Sequence, residues 1–299
     1  MKYQFFTLDV FAQQKFEGNQ LAVIPNAEGI NDSQMQKIAR EFNYSETVFI
    51  TRGDSKFSWN VRIFTPISEI DFAGHPNIGA AILLANIIEF NVQEKIKLVF
   101  RERVGDIPIT VHYETSKPAY AELEVAQLPQ NGPNPPTKDQ IAESIGLDIS
   151  DVDSNQEISA YSCGLPFLYV PILSLEGIKK AKLDNDKWKK YLSSYWAPQI
   201  YLFTKEVEDP KSDFHARMFA PGLGIAEDPA TGSAVAAFSG YLAKSPKYQN
   251  GIFSFIIEQG FEMGRPSILE MSFETKMGTV TKVQVKGRAT IISQGEIDL

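Results

Sequence analysis

The sequence predicts a mixed α/β or α+β fold divided into two halves of comparable size, and three observations carry that expectation. Segments rich in β-branched and aromatic residues, several alternating with period two, are interrupted by only a few well-marked helical stretches. A proline-rich stretch breaks all periodicity near the middle of the chain. A short motif occurs twice, in the same order, about half a chain length apart.

In chain order, Tyr3–Val10 reads as the first strand. A helix follows over Asp32–Phe42, with capping residues ahead of it and Asn43 as a plausible left-handed stop. Tyr44-Ser45-Glu46 then leads into a strand over Thr47–Ile50, and Phe57–Phe64, Lys97–Arg101 and Ile107–Tyr113 are further strands. The best domain boundary is Gln127–Pro136, where Pro129, Gly132, Pro133, Pro135 and Pro136 precede a helix starting near Thr137. The expected division is 1–127, with a returning strand near 288–294, and 137–280.

The repeated motif ties the two halves together. Arg62-Ile63-Phe64-Thr65-Pro66 matches Arg217-Met218-Phe219-Ala220-Pro221 at an offset of 217 − 62 = 155, and His75-Pro76-Asn77-Ile78-Gly79-Ala80-Ala81 matches Asp228-Pro229-Ala230-Thr231-Gly232-Ser233-Ala234 at 228 − 75 = 153. Either match alone is short enough to be chance; two in the same order at nearly equal offsets are not easily so. Each copy enters an apolar stretch read as a helix, Asn77–Phe90 and Ala230–Lys244, with proline at the favoured first position. Each half is thus expected to present a strand, a loop and a helix N-terminus.

Composition narrows the chemistry. With 299 residues, 43% of them hydrophobic, the chain can bury two cores. Lys+Arg number 29 against 37 Asp+Glu, a net charge of -8, and no basic cluster occurs, which argues against nucleic acid as a partner. The N-terminal residues lack a signal-peptide core and no later apolar run reaches membrane-spanning length, so a cytoplasmic protein with no membrane partner is expected. A single cysteine, Cys163, excludes an internal disulfide, and three histidines at no ligand spacing argue against a zinc site. No metal and no cofactor are expected, leaving carboxylates, imidazole and backbone amides to do the chemistry.

A helix N-terminus carries unpaired N–H groups and partial positive charge, and the small residues Gly79-Ala80 and Gly232-Ser233 would let an anion approach them. If the halves pack about a pseudo-two-fold axis, the two starts can face each other and hold a carboxylate. Asp228 alone could be an ordinary N-cap, but histidine is a mediocre cap and His75 stands at the matching position, which favours a site. Glu46 opens an apolar strand; turned inward, its carboxylate would be desolvated and its pKa raised toward the range of a general acid/base, with Ser45 orienting it or the ligand. On its own a glutamate is more often an exposed strand-edge residue. Nothing basic surrounds Cys163, which reads as a small buried hydrophobe, and His112 and His215 read as structural or exposed.

Phe5–Asp9, Gly18-Asn19-Gln20-Leu21-Ala22-Val23, Ser45-Glu46-Thr47, Asp71-Phe72-Ala73-Gly74-His75-Pro76, Glu227 through Ala234, and Gln259-Gly260 through Gly264-Arg265-Pro266-Ser267 resemble the signature blocks of the PhzF-like family of phenazine biosynthesis across essentially the whole chain. The resemblance implies an α+β fold shared with diaminopimelate epimerase, in which two pseudo-symmetric domains each wrap a sheet around a central helix, with a cleft between them and usually a homodimer. It implies that Glu46 is the acid/base moving a proton between carbons, with His75 and Asp228 assisting. Asn19, Ser45, Gly74, Gly232 and Ser233 are expected to bind a small acidic substrate. Epimerases of this superfold place cysteines at both helix starts; His75 and Asp228 stand there in this chain, which rules out inversion by two thiols. Asn77 and Ile78 occupy positions where family members commonly show threonine and a varied residue. The expected function is a cofactor-independent isomerase moving a proton within a small unsaturated, carboxylate-bearing substrate; an epimerase-like enzyme on an amino-acid derivative and a non-catalytic dimeric binding or scaffold protein are the alternatives.

Overall fold

The computed structural model describes residues 1–88, 94–115 and 117–299. In chain order its strands and α-helices are β1 (Lys2–Val10), β2 (Asn19–Ile24), α1 (Asp32–Phe42), β3 (Glu46–Arg52), β4 (Ser58–Phe64), β5 (Glu69–Ile70), α2 (Gly74–Ile87), β6 (Lys95–Glu102), β7 (Gly105–Glu114), β8 (Lys117–Glu124), β9 (Gln130–Asn131), α3 (Lys138–Ser144), β10 (Ser159–Ser162), β11 (Pro166–Pro171), α4 (Leu175–Lys180), α5 (Asn185–Tyr191), β12 (Gln199–Thr204), β13 (Phe214–Ala220), β14 (Ile225–Asp228), α6 (Gly232–Ala243), β15 (Gly251–Gln259), β16 (Ser267–Lys276), β17 (Thr279–Gly287) and β18 (Ala289–Asp298). The chain forms two compact units, one of Met1–Glu124 with Lys286–Leu299 and one of Val125–Val285.

In the first unit β1 lies between β18 and β2, antiparallel to both. The sheet continues with β2 parallel to β3, β3 antiparallel to β4, β4 parallel to β6, and β6, β7 and β8 antiparallel in succession. It curls around α2, which packs against β1, β2, β3, β7, β8 and β18. Every residue of α2 from Gly74 to Ala85 is buried, as a helix apolar on all sides requires. α1 differs: only Met35, Ile38 and Ala39 are buried, and they lie in one core cluster with Ile24, Phe49 and Phe64. Its ends match the sequence expectation, with a full capping box between Asn31 and Gln34 and Asn43 left-handed at φ 53°.

The second unit repeats the pairing order. β10 is antiparallel to β11, β11 parallel to β12, β12 antiparallel to β13, β13 parallel to β15 and β15 antiparallel to β16. That is the alternation seen from β1 through β4 to β6 and β7. α6 takes the place of α2, packed against β9, β10, β11 and β16 and buried over most of its length. The proline-rich stretch contains β9, which pairs with β10, so this part of the expected linker is built into a sheet. The fold is α+β, with a sheet wrapped around a central helix in each unit.

The two motif arginines make the same bonds. Arg62 donates from Nε and a terminal nitrogen to the two carboxylate oxygens of Glu69 at 2.7 and 2.8 Å, while Arg217 does so to Glu227 at 2.8 and 2.9 Å. Their guanidinium carbons lie 5.2 Å from the Phe64 ring and 5.0 Å from the Phe219 ring. Each fork ties the strand carrying the arginine to the short strand that leads toward the central helix.

Both expected helix starts need correction. α2 begins at Gly74, three residues before Asn77, and ends at Ile87; the expected end at Phe90 lies outside the described residues. Pro76 is its third residue and His75 its second, so neither caps it. Any of the first positions tolerates proline, because their N–H groups have no intrahelical acceptor. α6 begins at Gly232 rather than Ala230, and Asp228-Pro229 precede it, so Asp228 is not its N-cap.

Candidate active site

In the first unit, parallel pairing of β2 with β3 sets Leu21 beside Glu46 and brings the start of both strands together. Ser45, just ahead of β3, donates from Oγ to Asn19 Oδ1 at 3.2 Å. Glu46 is 8% exposed and His75, in the first turn of α2, 5%. Their side chains meet at Nε2 to Oε2, 3.2 Å. Burial pulls the His75 pKa down to about 3, only partly offset by a hydrogen bond to the Gln20 backbone, so the imidazole is neutral at working pH. The contact brings the ring nitrogen within reach of the carboxyl group, but the two atoms are not aligned as a hydrogen bond. Gly74, at the head of the helix, is buried beside them.

In the second unit, Asp228 ends β14 and is 6% exposed. Thr231 donates from Oγ1 to its carboxylate at 2.5 Å. Gln259, with no exposed surface, donates from Nε2 to the Asp228 carbonyl at 2.7 Å and to Thr231 Oγ1 at 3.1 Å, while its Oε1 accepts from the Thr231 N–H at 3.4 Å. Gly260 is left-handed at φ 79°, and a Cβ there would lie 2.6 Å from the Pro229 carbonyl oxygen, so only glycine lets this strand end back the Asp228 loop so closely. Gly232 is the buried first residue of α6 and Ser233 the half-buried second.

The helix starts themselves are distinctive. The outer helices α1 and α3 carry complete capping boxes, from Asn31 and Thr137. Neither Ala73 ahead of α2 nor Thr231 ahead of α6 gives its helix a side-chain cap. No cap residue is spent on the first-turn N–H groups of the two central helices, where an acidic group would find donors. Gly79, expected to open that approach, has another purpose: a Cβ there would lie 2.6 Å from Leu21 Cδ2 and 2.7 Å from Val10 Cγ2, so the missing side chain lets α2 lie close on β1 and β2.

The structure thus groups Asn19, Ser45, Glu46, Gly74 and His75 in one unit and Asp228, Gly232 and Ser233 in the other. Sequence reasoning assigned no role to Gln259 or Thr231, which hold Asp228, nor to Glu102, which faces Asn77 of α2. Period-two alternation could have found Glu102, since Ile96, Leu98 and Phe100 place it on the core face of β6. Among the described residues no group of three or more His, Cys, Asp and Glu side chains is placed to hold a metal ion, and no helix is long and apolar enough to cross a membrane. Cys163 has its thiol pushed up to about 12 by burial, which disfavours the thiolate a nucleophile needs.

This arrangement can be set beside known proteins. The sequence profile of the phenazine biosynthesis-like protein family matches residues 8–295. The chain belongs to that family. Among phenazine biosynthesis-like relatives, an uncharacterised isomerase of Mesorhizobium japonicum is 35% identical over 294 residues, covering 97% of this chain and 96% of the relative. A trans-2,3-dihydro-3-hydroxyanthranilate isomerase of Pseudomonas chlororaphis is 30% identical over 298 residues, 99% and 100% of the two chains. The crystal structure of a PhzF-family phenazine biosynthesis protein from Bacillus anthracis superposes with a TM-score of 0.90 over 100% of both chains at 24% identity, which shows a shared fold.

Proposed function

We propose that this phenazine biosynthesis-like chain is a cofactor-independent isomerase that moves a proton within a small unsaturated substrate bearing a carboxylate. The buried 3.2 Å contact between Glu46 and a neutral His75 at the uncapped head of α2 carries this reading. A carboxyl group sheltered from water beside a neutral imidazole can take a proton from one carbon and return it to another, leaving composition and charge unchanged. His75 keeps the proton within reach of Glu46 and fixes the carboxyl orientation. Asp228, held by Thr231 and Gln259, assists. Gly232 and Ser233 at the head of α6 offer backbone and hydroxyl donors to a carboxylate, as Gly74 does with its backbone at the head of α2, while Asn19 and Ser45 line the Glu46 side. The names of the relatives support isomerase chemistry, and trans-2,3-dihydro-3-hydroxyanthranilate is the first substrate to try.

The test is turnover of that compound in deuterated water by wild type and Glu46→Gln. Wild type should convert it to an isomer of the same composition, and the variant, which keeps shape but cannot accept a proton, should be slower by about a hundredfold or more. Carboxylate binding should survive in Glu46→Gln and weaken first in Gly232→Val. A Glu46→Gln enzyme turning over near the wild-type rate would remove Glu46 from the mechanism.

A further inference from the structure

The second unit holds a set of buried charges that the proton-transfer reading does not use. His215, Arg217 and Phe219 alternate along β13 and so share one of its faces. His215 is fully buried, with Nδ1 2.7 Å from Glu258 Oε1 and Nε2 2.9 Å from Glu262 Oε1. A neutral imidazole carries one N–H and can donate to only one of these acceptors, whereas the charged ring donates to both. The two hydrogen bonds outweigh burial and raise the His215 pKa.

The two carboxylates flank the segment that holds Asp228. Glu258 and Gln259 are the last two residues of β15, so their side chains leave opposite faces. Glu258 goes to His215, and Gln259 donates to the Asp228 carbonyl at 2.7 Å and to the Thr231 hydroxyl at 3.1 Å. Left-handed Gly260 then turns the chain into a single 3-10 turn, Phe261–Met263, which returns Glu262 to the other ring nitrogen. His215 thereby spans the Gln259-Gly260 pair that backs the Asp228 loop, gripping the residue before it and the second residue after it. Two residues along β13, Arg217 forks to Glu227, the residue before Asp228, and its Nε lies 3.9 Å from Glu262 Oε2. Arg217 also donates to the carbonyls of Ile178 and Ala181 at 2.9 and 2.8 Å, and Glu258 accepts from the N–H groups of Glu208 and Asp209 at 2.6 and 2.9 Å. Lys179, whose charge also reaches Glu258 and Glu262, is paired with Glu208. The residue preceding Asp228 and the amide that holds its carbonyl are therefore both referred to β13 through buried charge.

We propose that His215 is a positioning residue, donating to both Glu258 and Glu262 so that the bridge presses Gln259 against the Asp228 loop and sets the Asp228 carboxylate. The inference deepens the proposed function and rests on it only where turnover is read.

Glu262→Ala cuts the arm of the bridge beyond Gly260 and leaves His215 bonded to Glu258, while Glu262→Gln keeps an acceptor for the Nε2 proton. With only three histidines in the chain, ring 15N spectra, the side-chain amide signals of Gln259 and the 13C resonance of the Asp228 carboxyl test the bridge without a substrate. At pH 6 wild type should show His215 with both ring nitrogens protonated and Gln259 amide protons shielded from exchange. In Glu262→Ala those protons should exchange about tenfold faster or more and the Asp228 resonance should shift, and Glu262→Gln should keep both near wild type. On a confirmed substrate, Glu262→Ala should lower kcat about tenfold or more with KM changed much less, and Glu262→Gln should restore it. If Glu262→Ala does not fold, His215→Gln, which cannot donate to both carboxylates, should give the same Gln259 and Asp228 signals. Those signals unmoved in either variant, even one of lowered stability, would reduce the bridge to a structural contact and overturn the proposal. So would a His215 ring carrying one proton at pH 6, or moved signals with kcat unchanged. Moved signals in a protein that turns over nothing would uphold the bridge and count against the isomerase reading alone.

Discussion

Replacing Glu102 by glutamine removes a carboxyl group that folding forces to keep its proton, so the variant should be more stable than wild type at neutral pH and nearly equal to it in acid. An unfolded chain ionises this side chain near 4.5, whereas the folded protein holds it to about 8. Because the folded value is raised, the protonated group's full stability is present below pH 4.5 and is lost progressively as pH rises to about 8. Each pH unit in that window is worth about 1.36 kcal/mol, so the ceiling is (8 − 4.5) × 1.36, about 5 kcal/mol, and about 3 kcal/mol at pH 7. Partial relaxation of the ionised group lowers this to about 2 kcal/mol as a working expectation. Urea unfolding followed through amide exchange of the α2 backbone, at pH 5 and pH 7.5, measures the difference. A gap between wild type and Glu102→Gln that stays the same at both pH values refutes the assignment of a raised pKa, and a wild type that gains stability over this interval relative to the variant refutes its sign.

Other outcomes follow from the second unit. His215 is fully buried, with Nδ1 2.7 Å from Glu258 and Nε2 2.9 Å from Glu262; burial opposes its charge, but the hydrogen bonds to these two carboxylates outweigh it and raise the pKa. His215→Leu would remove the cation between Glu258 and Glu262, leaving Glu262 only the more distant Arg217 at 3.9 Å, and should cost about 3–5 kcal/mol in urea unfolding. Relative to that variant, the wild-type advantage should shrink as pH rises from 6.5 through the raised folded value, and a constant advantage would show an uncharged ring. Cys163, with its thiol pushed up to about 12, should react with iodoacetamide at pH 8 about a thousandfold more slowly than a free thiol, as measured by mass spectrometry.

Much of the scaffold was legible in the sequence because its signals are local. The α1 boundaries follow from Asn31, Gln34 and Asn43, whose side chains and backbone act within one turn. The Arg-apolar-Phe-x-Pro repeat was visible because the arginine forks and the strands that carry them recur in both units. The starts of α2 and α6 were misplaced because proline is compatible with several positions in and ahead of a first turn, so Pro76 and Pro229 could not fix the register. Glu46 and His75 could be singled out from the repeat and the family resemblance, but their 3.2 Å contact depends on the parallel β2–β3 pairing, which no local pattern encodes. Gln259 and Thr231 escaped for the same reason: they lie 28 residues apart and meet only through the fold. Glu102 was hidden by its neighbours, since Arg101-Glu102-Arg103 reads as a solvated charge run until strand alternation sends the middle residue inward.

Gly79 sets a dimension of the molecule by what it lacks. With a Cβ 2.6 Å from Leu21 and 2.7 Å from Val10, even alanine at this position would act as a shim between α2 and the strands beneath it. The helix carries His75 one turn ahead, and Leu21 is paired with Glu46, so both ends of the Glu46–His75 contact are referenced to the same seam. A wedge of one methyl group there would press on that spacing. The spacing between Glu46 and His75 is thus set at a helix–sheet joint by a residue that touches neither of them.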